Sequence, residues 1–241
     1  MSTETHCISV GDLAVEVVRK NIKNLHLAVY PPNGRVRVAV PLVVSDDAVR
    51  LAVIGKLGWI RRQQARCAVQ PRQSQREMVD GETHYFLGQR YRLRVLAYTG
   101  SPRIRCDGAD FLDLFVRSGT TVEQRRRVLE DWYRERLRER IPPLLEQWQP
   151  VLGVRVVDWG IKRMKTRWGT CNIGARRIWL NLELIKKPAR CLEYIVVHEL
   201  THLLERNHND RFKALMDGYL PHWRLIREEL NRAPLGHEPW R

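Results

Sequence analysis

An α+β fold is predicted: antiparallel β-hairpins with one helix over residues 1–120, then a small sheet and a histidine-bearing helix over residues 121–241. Three observations predict it. Apolar runs of period two, broken by Asn33-Gly34 and Gly88-Gln89, occupy the first region. An apolar stripe of Val128, Leu129, Trp132, Tyr133, Leu137 and Ile141 opens the second at helical spacing. Leu192, Ile195, Val196, Leu200, Leu203 and Leu204 then surround His198-Glu199-Leu200-Thr201-His202 at the same period. The two regions are expected to pack together as one unit.

Taken in order, Leu25 to Tyr30 and Val36 to Val40 flank a turn at Pro31-Pro32-Asn33-Gly34 and read as a hairpin. Ser45-Asp46-Asp47 starts a helix carried by Val49, Val53, Leu57 and Ile60 to about Arg66. Residues 68–82 are polar and read as a loop. His84 to Leu87 and Arg90 to Val95 form a second hairpin, followed by strands at Arg103 to Cys106 and Phe111 to Val116. Thr121 and Gln124 fit a capping box, and Pro142-Pro143 is expected to kink or end the helix they begin. Short strands from Val154 to Leu182 lead into the histidine helix, with Pro188 in its first turn. Asn209 or Asp210 caps a further helix, a last one follows Pro221, and the tail from Ala233 is expected to fray. No internal repeat is visible.

Composition narrows the function. Forty-two Lys and Arg against 27 Asp and Glu give a formal charge of +15, enough to attract polyanions, so nucleic acid is a candidate partner for the basic surface. Arginine spread through nearly every segment equally describes a solvated surface, and no nucleic-acid fold signature accompanies it. Five widely spaced cysteines without a CxxC pair indicate neither a disulfide framework nor a cysteine zinc knuckle, and a reducing cytoplasm is the simplest compartment. No export signal or membrane span is expected.

The chemistry concentrates at residues 198–208. Two histidines four apart on a helix project from one face, so both imidazoles can converge on one zinc ion with Glu199 flanking the vacant position. Three candidates exist for a third ligand. His208 needs the chain to turn back, for which Asn207 suits a left-handed backbone; Glu205 lies a turn beyond; Glu228 or Glu229 could reach in from the last helix. His208 fits best.

The order Arg167-Trp168-Gly169-Thr170-Cys171, Leu180-Asn181, Glu193 to Leu203 with its His-Glu-Leu-Thr-His core, Asn207-His208, Phe212 and Pro221 resembles the YgjP-like metallopeptidase family, relatives of the SprT and WLM zincins. The first region shares it through Trp59-Ile60-Arg61 and Leu87-Gly88 to Tyr91. Threonine at 170 and 201 departs from the family's usual serine and small residue or cysteine, and Glu205 stands where metzincins have glycine. The resemblance implies a minimal zincin-like unit and a zinc-dependent peptidase, with His198, His202 and His208 as ligands and Glu199 as general base. Three neutral imidazoles would leave the zinc dicationic, lower the pKa of bound water towards about 7 and polarise a carbonyl. Arg167, Tyr219 and His222 are candidates for holding the oxyanion; Trp168 and Trp179 join them as candidate substrate-binding residues. The strand from Ile178 to Leu182 is a candidate edge for pairing with extended substrate, and the basic run Lys162, Arg163, Lys165 and Arg167 adjoins it.

Protein or peptide is therefore the expected substrate. Two other functions fit the same residues: a zinc-dependent hydrolase of phosphoanhydrides such as nucleoside triphosphates, although no Gly-rich phosphate loop is present, and a nucleic-acid-binding module with structural zinc, which would have no need of Glu199.

Overall fold

The computed structural model describes residues 4–30, 33–69, 76–108, 110–164 and 167–232. The expectations for Pro31-Pro32, for positions 70–75 of the polar loop, for Lys165, for the Arg66 side chain and for the tail from Ala233 lie outside them. The fold is mixed α+β, in two compact units, Met1–Gln73 and Ser74–Trp240.

The first unit is a four-stranded sheet of β1 (Glu4–Val10), β2 (Leu13–Lys20), β3 (His26–Tyr30) and β4 (Arg35–Pro41) in the order β1-β2-β4-β3. Strand β1 escapes a sequence reading because only its last residues, Ile8 and Val10, carry buried apolar side chains. Gly34 takes the positive φ of +67° that the β3–β4 turn requires. The single helix expected after Ser45 is two, α1 (Asp46–Ile54) and α2 (Leu57–Val69). Ser45 caps the first through the Ala48 amide at 3.3 Å, and Gly55 ends it. Val15, Val17, Val36, Val38, Val49, Val53 and Ile60 form this unit's core.

The second unit opens with β5 (Thr83–Phe86), β6 (Gln89–Ala97), β7 (Arg103–Arg105) and β8 (Phe111–Val116), ordered β5-β6-β8-β7. This repeats the plan of the first sheet, strand for strand, a repeat of topology that the sequence does not display. The outer pairs of both sheets are antiparallel, as expected, while the central pairs, β2 with β4 and β6 with β8, are parallel, so both sheets are mixed. Period two sets which face a side chain takes and carries no information about the direction of a neighbouring strand.

Helix α3 (Val122–Leu152) follows, with the capping box of Thr121 and Gln124 formed at 2.8 and 3.3 Å. It runs on through Pro142-Pro143 instead of ending there. Ile141, Leu145, Trp148 and Leu152 are buried on either side of the prolines, so packing outweighs the lost helical hydrogen bonds. The same helix moves the expected division at residue 120. Leu129, Tyr133 and Leu137 share one core with Phe86, Tyr91, Leu93, Leu112 and Leu114 of the preceding sheet, and the boundary falls at 73/74 instead.

A three-stranded sheet of β9 (Asp158–Lys162), β10 (Gly169–Asn172) and β11 (Arg177–Asn181) comes next, ordered β10-β11-β9. Strand β11 is central, with Ile178, Leu180 and Asn181 buried, so it is not an edge strand; β10 and β9 are the edges. A 3-10 turn (Leu182–Lys186) leads to α4 (Ala189–Thr201), α5 (Asp210–Tyr219) and α6 (Trp223–Arg232). None of the described helices is long and apolar enough to cross a membrane.

Candidate metal centre

Helix α4 is fixed from both ends of its fold before its chemistry begins. Pro188 is its N-cap, one residue earlier than expected, with φ −50° and ψ 143°. Against it sits the tight β5–β6 turn. Leu87 and Gly88 both have positive φ, 50° and 83°, and their amides donate to the Ile185 and Lys186 carbonyls at 2.9 and 3.3 Å. A Cβ on Gly88 would lie 2.8 Å from Pro188 Cγ, which gives the Leu-Gly segment of the sequence its physical role. Further along, Glu193 accepts a hydrogen bond from the Trp148 indole at 3.0 Å, tying α4 to α3.

His198 lies in the last turn of α4 and His202 is its C-cap. The chain then reverses through Leu203–Glu205, whose amides donate to the Leu200 and Thr201 carbonyls at 3.0 Å. Asn207 does not supply a left-handed backbone; no positive φ occurs there, and its amide donates to Glu205 Oε1 at 3.2 Å instead. Asn209 caps α5 through the Phe212 amide at 3.0 Å. This brings His208 Nε2 to 3.0 Å from both His198 Nε2 and His202 Nε2.

The donor set fits a zinc ion. Three imidazole nitrogens crowded tip to tip repel one another through their lone pairs unless a cation or proton lies between them. Zinc–nitrogen bonds of about 2.0–2.1 Å at a tetrahedral angle hold nitrogens roughly 3.3 Å apart, close to the observed spacing. Burial pushes the His198 imidazole down to about 3, with His202, His208 and Arg227 adding to the effect, and burial lowers His202 and His208 as well. Each shift favours the neutral imidazole, the form that can ligate a metal. His202 Nδ1 faces the Glu205 carbonyl at 3.2 Å, a contact that fixes the tautomer leaving Nε2 unprotonated. Phe212, fully buried, packs against all three rings at centroid distances of 5.0, 4.8 and 4.7 Å and backs the cluster with apolar surface. The glutamates considered as alternative ligands are engaged elsewhere: Glu205 with Asn207, and Glu229 in a two-pronged pair with Arg190 at 2.6 and 2.7 Å.

Glu199 is 4% exposed, and its carboxylate lies directly over Gly169 of β10. A Cβ at residue 169 would meet Glu199 Oε1 at 2.5 Å and Cγ at 2.8 Å, so the strand must carry glycine there for the carboxylate to occupy this place. Burial pushes the Glu199 carboxyl up to about 8, and the Arg167 guanidinium works against that; a dication on the neighbouring histidines would favour the carboxylate further. Cys171 is beside it as a thiol, pushed up to about 11 by burial and then by Glu199.

Asn181 holds the segment that leads into β10. Its fully buried amide donates to the Met164 and Arg167 carbonyls, both at 2.8 Å, and its oxygen accepts from the Met164 and Glu183 amides at 3.3 and 3.2 Å. One side chain therefore ties the Arg167-Trp168 loop to the turn before α4.

The cleft above the histidines has a volume of about 1320 Å³. It brings together His198, His202, His208, Glu199, Arg167 and Trp168; Trp179, Tyr219 and His222 are not in its lining. The Trp179 ring instead covers Gly160 on β9, with Lys162 Nζ 3.5 Å from its centroid. Tyr194, Arg206, Trp223 and Arg227 are among the lining residues that the sequence does not mark as site residues. Trp223 stacks on Tyr194 at 6.3 Å and 12°. The period of α4 and α6 places Tyr194 and Trp223 in the core, but nothing in the sequence says that this part of the core borders the cleft.

Among curated proteins, none matches the chain. Solved structures with partial similarity include the metallopeptidase zymogen abylysin of Pyrococcus abyssi, 21% identical over 37% of this chain and 90% of its own with a TM-score of 0.35, and the metallopeptidase zymogen jannalysin of Methanocaldococcus jannaschii, 21% identical over 37% and 92% with a TM-score of 0.34. The family model described as YgjP-like, metallopeptidase domain, matches residues 23–233, and the chain accordingly belongs to the YgjP-like metallopeptidase family.

Proposed function

We propose that the protein is a zinc-dependent peptidase of zincin-like design in which His198, His202 and His208 hold the metal and Glu199 is the general base. The observation that carries this reading is the convergence of three Nε2 atoms within 3.0 Å contacts beside a buried carboxylate that only a glycine at 169 admits. Zinc, when bound, supplies Lewis acidity that acidifies water and polarises the scissile carbonyl. Glu199 Oε1 accepts the proton from water and returns it to the leaving amine.

Strand β10 gives the substrate backbone a partner. The Asn181 amide donates to the Trp168 carbonyl at 2.8 Å, so by the alternation of an antiparallel ladder Thr170 bonds to Trp179 and the N–H and C=O of Gly169 and Cys171 face the open edge. An extended peptide pairing there runs along the cleft beside Glu199. Arg167 and Trp168 line the same side.

The test is a comparison of the purified protein with Glu199→Gln and His208→Ala, each assayed for zinc and for cleavage of unfolded protein substrates. Glu199→Gln is expected to keep zinc and lose cleavage, and His208→Ala to lose both. Full zinc in His208→Ala would move the third ligand elsewhere; cleavage surviving in Glu199→Gln would remove the general base from this account. Phosphate release from nucleoside triphosphates without any peptide cleavage would replace the peptidase reading.

A further inference from the structure

The cleft is charged on one side only. Arg167, Arg206, Lys213 and Arg227 line it against a single acid, Glu199. Lys213 is paired with Asp210 at 2.8 Å, whereas Arg167, Arg206 and Arg227 have no ion pair within 4.0 Å among the described residues. On α5 and α6, Asp217 is paired with Arg224 and Glu229 with Arg190. Arg227 is the most telling of the three. It lines the cleft from α6 together with His198, His208 and Tyr194, its guanidinium 5.9 Å from the Trp223 ring. A cation lining the same cleft as three histidines suited to a dication is repelled by that dication. A ligand with negative charge would relieve the repulsion and satisfy the guanidinium at once.

We infer that this cleft selects peptides with a carboxylate side chain next to the scissile bond, and that Arg227 is the residue that reads the carboxylate. The inference rests on the peptidase reading and gives it a substrate class. Arg227 offers a two-pronged fork matched to a carboxylate, while Arg167 and Arg206 add longer-range attraction that salt screens. Arg227 does not touch the reacting atoms; its effect falls on binding.

The experiment compares matched peptides that differ only in Glu against Gln at the residue on either side of the cleaved bond. Wild type is expected to show a KM about 10- to 100-fold lower for the Glu peptide, the range for a hydrogen bond to a charged group, and the preference should shrink as salt is raised. Arg227→Ala should abolish the preference with kcat little changed, Arg227→Lys should restore part of it, and Arg227→Glu should turn it towards lysine peptides. Zinc content and circular dichroism accompany each variant. Binding of the same peptides to zinc-loaded Glu199→Gln, read by fluorescence anisotropy, should show the same order without turnover. Should Arg227→Ala lose zinc or fold, the wild-type comparison and its salt dependence still decide. Equal KM for the Glu and Gln peptides, with cleavage still dependent on Glu199, overturns this inference and leaves the peptidase reading standing. Absence of cleavage of every peptide overturns both.

Discussion

Gly169→Ala tests the site at its tightest point. The glycine's φ is not positive, so alanine is free to adopt the same backbone and any effect is steric. The added methyl would lie 2.5 Å from Glu199 Oε1, 2.8 Å from Cγ and 2.9 Å from Cδ, where comfortable contacts are about 3.5–4.0 Å. The whole carboxymethyl group must therefore retreat by roughly 1 Å from the place it holds over β10, where it is 4% exposed. Overpacking of this kind costs about 1–3 kcal/mol, while a displacement of about 1 Å in a catalytic group lowers kcat on the order of 100-fold. The three atoms nearest the new methyl all belong to Glu199 and none to a histidine, so zinc stoichiometry should be unchanged. Peptide turnover, metal content by mass spectrometry and thermal denaturation together separate these effects. Gly169→Ala with wild-type kcat would refute the placement of Glu199 over β10; loss of zinc would show that the strand acts on the metal cluster rather than on the carboxylate.

Three other predictions follow from the surrounding shell. Asn181→Ala leaves four backbone groups around residues 164–183 without their buried partner and should lower stability by about 3 kcal/mol, with KM rising as the Arg167-Trp168 loop loosens; chemical denaturation and steady-state kinetics measure both. Gly88→Ala combines an unfavourable positive φ with a Cβ 2.8 Å from Pro188 and should cost about 2–4 kcal/mol, and an unchanged denaturation midpoint would dissociate the β5–β6 turn from the start of α4. Asp113 lies between Arg94 at 2.7 and 2.9 Å and Arg105 at 3.5 Å, which hold its carboxyl below the usual range. A depressed carboxyl stabilises the fold above the unfolded value of about 3.9 and ceases to do so as pH falls through the folded value; Asp113→Asn should therefore melt earlier than wild type at pH 7, with the gap closing below pH 4.

Sequence patterns made some parts of this molecule legible and left others dark, for physical reasons. The convergence of the three histidines could be read because helical spacing fixes His198 and His202 on one face, and few ways exist to add His208. Caps at Ser45, Thr121 and Asn209 were equally readable, since each is a local bond between neighbours in the chain. Strand direction was not: the parallel pairing of β6 with β8 depends on where β7 goes, which no local pattern encodes. The role of Gly169 was hidden for a related reason, because it depends on a side chain thirty residues later. Trp179 has the composition of a ligand platform, but the neighbouring glycine at 160 gives it a seat on the sheet instead. Arg227 looked like one more member of an arginine-rich surface until α6 was seen to border the cleft.

Helix α3 has a consequence for how the chain can be divided. Its buried stripe faces two neighbours: Tyr133 donates to the Tyr85 carbonyl of β5 at 2.8 Å, while Trp148 bonds to Glu193 of α4. A fragment beginning at Thr121 would retain every residue of the metal cluster, yet it would expose the side of α3 that Phe86, Leu93, Leu112 and Leu114 cover. Such a fragment carries the motif without the scaffold that keeps it folded, and the β5–β8 sheet, which contributes nothing to the lining of the cleft, is as necessary to the site as the histidines themselves.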